Sequence, residues 1–323
     1  MDRRDCLHGL LGCGLGLSPF GLALAQQTPP RPRLKLLVPA NPGGGWDQTA
    51  KAVAATLQAA KLVEQVEFEH KPGKGGAPGL AYFVDKYAGD PNTLMVGGMV
   101  MLGAVAINHS PVDLSRVQPV AKLTTDYLVV AVPKDSPIRN VKALADRMKA
   151  DPHSLVFGGG SAGGVDHMLM GMIGRSVGAD VGALKYTPTS AGAEFTDLLR
   201  KGTLSVGIAG YSEFKDALAD GSVRAIAISS RAGLYGLPSL REQGVATDLG
   251  NWRGLFAPPG LPAEQVEGWI RLFNRMAAAP EWKAALDKNN WRGSPLYGAE
   301  FRNFVELEQT TARVIVHLLK LQA

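Results

Sequence analysis

The sequence predicts an α/β protein of two similar domains, each a mostly parallel sheet flanked by helices. Three observations carry that expectation. Six short apolar runs each end in a loop rich in glycine or small residues, and each loop opens straight into a helical pattern. The six units fall into two groups of three, separated by a long β-rich stretch. Strands that alternate with helices imply βαβ units, whose strands pair in parallel.

Leu34–Pro39 is strand-like and runs through Asn41-Pro42-Gly43-Gly44-Gly45 into a helix with Ala50, Val53, Ala54 and Leu57 on one face. Val63–Glu69 feeds "HKPGKGGAPG" and a helix whose face carries Leu80, Phe83, Val84 and Tyr87. Thr93–Val96 feeds Gly97-Gly98 and "MVMLGAVAIN". The second group begins with Leu155–Phe157, then "GGGSAGG" and "VDHMLMGMIGRSVG". Leu184–Tyr186 leads into "TPTSAGAEFTDLLRKG", and Leu204–Ile208 leads through Ala209-Gly210-Tyr211 into a further helix. Between the groups, the β-rich run inside "VAKLTTDYLVVAVPKDSPIRNVKALADRMKAD" is expected to cross from one domain to the other. "VRAIAISS" (Val223–Ser230) is the expected return. The C-terminal part reads as helices: one opened by Pro262 with Val266, Trp269, Ile270 and Phe273 on a face, and a long last one from Phe301 to Leu321.

This reading places domain one at residues 26–127 plus 228–323 and domain two at 128–227, with two crossover strands as a hinge. In open α/β sheets, ligands bind outside the carboxyl ends of the strands, where these glycines fall. The free N–H groups of a helix's first turn and its positive end make each such place suited to an anion. Two facing rims of this kind describe a cleft for a small anion.

Composition sets the bounds. The 323 residues are 46% hydrophobic and 20% charged, an ordinary globular balance with room for two cores. A formal net charge of +5, with no Lys/Arg run and no basic stripe interleaved with aromatics, argues against nucleic acid as a partner. Residues 1–25 read as a secretory signal: Arg3 and Arg4, an apolar Gly/Leu-rich run, then Ala23-Leu24-Ala25 before Gln26. The arginine pair fits a twin-arginine or a general export signal. Leu10-Leu11-Gly12-Cys13 resembles a lipobox, but cleavage there would leave "GLGLSPFGLALA" dangling in water. Both cysteines, Cys6 and Cys13, lie in the signal, so the mature chain is expected to hold no disulfide, thiolate nucleophile or cysteine metal site. No later stretch offers the ~18 apolar residues of a membrane span.

The glycines of Gly43-Gly44-Gly45 serve either a tight turn or close approach of a ligand to the backbone. Neither nucleotide fingerprint fits them. Trp46 reads as a ligand roof or as a wedge against a neighbouring helix. Asp47, in the helix's first turn, is expected chiefly to complement the dipole and bind loop N–H groups. Gly159-Gly160-Ser161-Ala162-Gly163 matches G-x-S-x-G between a strand and a helix, the setting of a hydrolase nucleophile. Of the six histidines only His167 and His317 follow Ser161, one a turn away and the other in the last helix, which serves a triad poorly. A secreted serine hydrolase using Ser161 is therefore the alternative function, not the main one. His167 either closes on a ligand or sits in the wall between domains; it is kept as a candidate contact, as is Tyr211. Met99, Met101, Met168, Met170 and Met172 read as core filler, and no metal site or cofactor is expected.

Five segments occur in order: "VPANPGGGWDQTAKAVA", "KPGKGGAPGLAYF", "FGGGSAGGVDHM", "YTPTSAGAEFTDLLRKG" and "WRGLFAPPGLPAE". Together they resemble the periplasmic substrate-binding proteins of tripartite tricarboxylate transporters, the Bug family, over essentially the whole mature chain. The first loop and "YTPTSAGAE" look more like its tricarboxylate-binding branch than its amino-acid-binding ones. The resemblance implies a Venus-flytrap fold of the periplasmic-binding-protein type that closes on a small organic di- or tricarboxylate and hands it to membrane permease subunits. It implies a monomer working in the periplasm, without catalysis. Residue by residue, it points to Gly43, Gly44, Gly45, Trp46, Asp47, Gly98 and Met99 in domain one. In domain two it points to Ser161, Gly163, Ser190 and Gly192. Two departures stand out: Lys74 occupies a place where the family often has alanine, and the third loop reads "VGGMVML" rather than a Ser/Thr-rich version. A sensor partner with the same cleft is a third possibility.

Overall fold

The structure is a computed structural model that describes residues 31–189 and 192–321. The expected signal at 1–25, both cysteines and Ser190 lie outside the described residues.

All six strand–helix units form. The first three are β1 (Arg31–Val38) with α1 (Gly45–Ala59), β2 (Val63–His70) with α2 (Ala77–Lys86), and β3 (Thr93–Gly98) with α3 (Met99–Ile107). Their strands pair in parallel in the order β2-β1-β3. Leu34, Leu36, Leu37 and Val38 of β1 are fully buried, as a near-continuous apolar run must be when helices cover both faces of a parallel sheet. β4 (Gln118–Pro133) is the long crossing strand, and α4 (Val141–Ala150) follows it. The second three units are β5 (Val156–Gly159) with α5 (Val165–Val177), β6 (Lys185–Pro188) with α6 (Gly192–Arg200), and β7 (Val206–Gly210) with α7 (Tyr211–Ala219). Here β5 pairs in parallel with both β6 and β7. Val129, Ala131, Phe195, Leu199, Leu204 and Phe214 belong to a second buried cluster.

β8 (Val223–Ile228) runs antiparallel to the second half of β4. The return passes between β8 and β9 (Gly250–Ala257), which lies between β3 and the first half of β4. Ser229 marks the junction. It is fully buried, its Oγ accepts from Leu128 N at 2.9 Å, and that Oγ donates to Leu249 O at 2.5 Å. The expected mostly parallel pairing is thus confined to the βαβ strands. Every strand that crosses or returns pairs antiparallel, because a chain that comes back along β4 meets it head to tail.

The C-terminal part holds α8 (Ala263–Ala277), α9 (Pro280–Asn289), β10 (Arg292–Tyr297) and α10 (Gly298–Leu318). β9 and β10 correct the purely helical reading of this part. In β9, "GNWRGLFA" mixes glycine, asparagine and arginine with apolar residues, which hides a strand whose last seven residues are all buried. The lobes also touch away from the strands, where α3 meets the loop before α5. A Cβ on Gly103 would lie 2.0 Å from Gly163 O, and one on Gly163 would lie 2.4 Å from Ile107 Cγ2.

Candidate functional site

A cleft of about 530 Å³ opens between the lobes. Its rim is built from the carboxyl ends of the parallel strands. Pro39, Ala40, Asn41, Gly44, Gly45 and Trp46 follow β1; Lys74 and its glycines follow β2; Val100 follows β3. Gly160, Ser161 and Ala162 follow β5, Thr189 follows β6, and Ala209 is the last residue but one of β7. Asn251 and Arg253 of β9, with Asp166 of α5, Phe195 of α6 and Glu213 of α7, also line it.

The helix ends explain the glycines. α1, α2, α3, α5 and α7 each start from a glycine N-cap, which has no side chain to cap the helix; at α7 the Asp126 carboxylate takes the Tyr211 N–H instead. α4, by contrast, is closed by Asn140, whose Oδ1 accepts from Ala143 N at 2.8 Å. The loop after β2 runs through four residues of positive φ, Gly73 at 118°, Lys74 at 41°, Gly75 at 57° and Gly76 at 90°. Lysine in that region is strained, a condition that gathers at functional sites. Gly76 is also needed for space, since a Cβ there would lie 2.7 Å from the Trp46 ring.

Acidic residues in the first helical turns hold the loops. Asp47 is fully buried and accepts from Gly43 N at 2.7 Å, Lys51 Nζ at 2.6 Å and His70 Nε2 at 2.9 Å. These donors carry its pKa below the usual carboxylate value although burial alone would raise it. Asp166 accepts from Gly160 N at 2.8 Å, and the Glu213 carboxylate receives Gly210 N–H. Burial pushes Asp166 up to about 8, helped by the neighbouring Glu213 charge, and burial raises Glu213 as well.

Beneath the first loop lies Arg253, with a side chain only 1% exposed. Its Nη2 donates to Asp126 Oδ2 at 3.1 Å and its Nη1 to Thr49 Oγ1 at 3.4 Å. A Cβ on Gly45 would lie 2.7 Å from that Nη2. Asp126 stands where β4 passes between lobes and also accepts from Ser212 Oγ of α7 at 3.2 Å. The floor of the cleft is thereby tied to the crossing. The described residues contain no cluster of His, Cys, Asp and Glu that could hold a metal ion.

Of the residues expected at a ligand, Gly44, Gly45, Trp46 and Ser161 line the cleft. Gly43, Asp47, Gly98, Met99, Gly163, His167 and Tyr211 are not among its lining residues. Gly43 and Asp47 bond to each other. Gly98 is kept small by Trp252 O, 2.2 Å from a would-be Cβ, and Met99 is fully buried. Gly163 N–H donates to His167 Nδ1 at 3.1 Å, and the His167 ring stacks on Tyr186 at 4.2 Å. Burial lowers His167 to about 4, so it is neutral at physiological pH. The Tyr211 ring packs at a tilt of 42° against Tyr235, with centroids 4.4 Å apart. Gly192 opens α6, next to the described rim residue Thr189. No described histidine bonds to Ser161: His167 is engaged as above, and His317 is exposed near the end of α10. Sequence reasoning missed Arg253, Asn251, Asp166 and Glu213. A buried-strand arginine beside a tryptophan, in "NWRG", was the available signal for the first.

The profile of the family described as tripartite tricarboxylate transporter family receptor matches residues 50–317. BugT of Bordetella pertussis is 27% identical over 262 residues, 79% of this chain and 79% of its own. MatC from Rhodopseudomonas palustris with bound malate has a TM-score of 0.75 at 22% identity, covering 88% of this chain and 98% of its own. An R. palustris protein with adipate has a TM-score of 0.77 at 20% identity, covering 91% and 99%. At these identities the structures share the fold.

Proposed function

This chain belongs to the tripartite tricarboxylate transporter receptor family, and from that premise we propose that it captures a small organic di- or tricarboxylate in the cleft and delivers it to membrane permease subunits. It acts as an exported, non-catalytic monomer, processed after Ala25. Residues 26–127 with 228–323 move as one domain and 128–227 as the other. The observation that carries this reading is the rim of glycine-started helices, closed below by Arg253 and at the side by Lys74, around a space of about 530 Å³. Main-chain N–H groups and two cations suit carboxylates, and the volume suits a small molecule. Malate and adipate in the two structural neighbours agree with this class.

The test is a thermal-shift panel of succinate, malate, glutarate, adipate, citrate and tricarballylate on the mature protein. A ligand at 100 times its Kd stabilises by about 2.7 kcal/mol. Gly44 provides the clean variant. Its φ of −72° and ψ of 168° suit any residue, and a Cβ there meets only Asn41 O, at 3.4 Å. Gly44→Val is therefore expected to keep the fold and to weaken the best panel acid by more than about tenfold, ~1.4 kcal/mol. Ser161→Ala, which removes one hydrogen bond to charge, is expected to weaken it about ten- to a hundredfold. A panel in which nothing stabilises overturns the carboxylate reading, and unchanged affinity in Gly44→Val removes the first loop from the site.

A further inference from the structure

The two rims of the cleft treat their acids differently. Asp47 in the first lobe is ion-paired with Lys51 and also accepts from His70 Nε2. In the second lobe Asp166 and Glu213 both line the cleft, and neither forms an ion pair with a described residue. The nearest strong cation, Arg253, already pairs with Asp126. Acceptors outnumber donors further still, because Asp126 Oδ1 and Asn251 Oδ1 are buried without a donor among the described residues. A ligand carboxylate would bring two more acceptors into this wall, and oxygens without hydrogens between them repel.

The geometry resolves the conflict in one way, and the inference rests on the carboxylate reading above. We propose that Asp166 meets the ligand as a neutral carboxylic acid: its Oδ2 holds Gly160 N–H, and the proton on its other oxygen is donated to a ligand carboxylate. Asp166 is then a binding residue whose proton is part of the site. Its surroundings keep that proton in place. On its own helix, His167 is neutral; on β6, Tyr186, whose hydroxyl donates to Gly160 O at 2.9 Å, is held neutral by burial. Glu213 on α7 and Asp126 on β4 add negative charge, while Arg253 on β9 opposes it; Lys74 lines the same cleft. The balance pushes Asp166 up to about 8, so at neutral pH it is mostly protonated in the empty protein. A buried acid kept neutral so that it can donate is an established way of holding an anionic oxygen.

The six panel acids are essentially fully ionised from pH 7.5 upward, so a change of affinity there reports on the protein. Each acid that binds is titrated calorimetrically at pH 7.5, 8 and 9, in phosphate and in Tris. If only protonated Asp166 binds, affinity falls roughly eightfold between pH 7.5 and pH 9, and binding at pH 8 takes up about half a proton. Asp166→Asn has no proton to lose, and its affinity is expected to vary less than twofold over the same range. Glu213→Gln removes a neighbouring negative charge and shifts the wild-type pH dependence to lower pH. Affinity independent of pH with no proton uptake in the wild type overturns this proposal and leaves the carboxylate reading standing. A pH dependence that persists in Asp166→Asn overturns the assignment to Asp166. If no panel acid binds at any pH, the carboxylate reading fails and this inference fails with it.

Discussion

Asp47 and Asp166 occupy matching places at the residue scale, each in the first turn of a helix with a loop N–H on its carboxylate. Their surroundings send them opposite ways. Hydrogen bonds from Lys51, His70 and Gly43 keep Asp47 an anion at neutral pH that fastens the Gly43 turn, whereas Asp166 has no ion-pair partner among the described residues. Asp47→Ala leaves Gly43 N–H without its partner and is expected to cost about 1–3 kcal/mol at neutral pH, read as a lower midpoint in urea. The folded pKa of Asp47 is depressed, so its contribution is complete above the unfolded value of about 4 and is lost as pH falls through the folded one. The gap between wild type and Asp47→Ala should therefore be flat from pH 7 to pH 5 and close at more acid pH. A gap that widened on acidification would mean that Asp47 does not work as an anion.

Among the elements, α3 and α5 show what glycine does besides exposing N–H groups. Gly103 of α3 approaches Gly163 O across the lobes, closer than any side chain permits. Gly103→Ala must push the helix away from a backbone atom that has no rotamer to yield, and overpacking of this sort costs about 1–3 kcal/mol. The variant is expected to unfold at lower urea, and to weaken the best panel acid by moving the Ser161 loop. Gly182→Ala is the control, since a Cβ there meets only Asp180 Oδ1, at 3.4 Å. Equal stability of both variants would show that the α3–α5 approach is not tight in solution.

For the whole molecule, the decisive feature is that both crossings meet at one place. Ser229 bonds to Leu128 and Leu249, and Asp126 beside them joins Arg253 of one lobe to Ser212 of the other. A ligand that draws on Arg253 would act directly on the segment where the chain crosses between the lobes. Binding is expected to close the cleft by rotation there, lowering the radius of gyration measured by solution scattering. Identical scattering curves with and without a panel acid shown to bind would sink the hinge.

The sequence by itself determined the six strand–helix units and the glycines between them. Those signals are local: apolar periodicity reports a strand or a helix face, and glycine reports bare backbone wherever it stands. From them follow the α/β class, the rim at the strand ends and the suitability for an anion. Tertiary structure alone decided which side chains face the cleft. Gly43, Asp47 and His167 carry the right residue types at the right loops, yet hydrogen bonds to their own loops turn them into supports. Arg253 comes to the floor from a strand far along the chain whose pattern hid it. The difference between Asp47 and Asp166 depends on which cations burial brings beside each carboxylate. Charge compensation inside a fold is set by long-range packing, which no periodicity records.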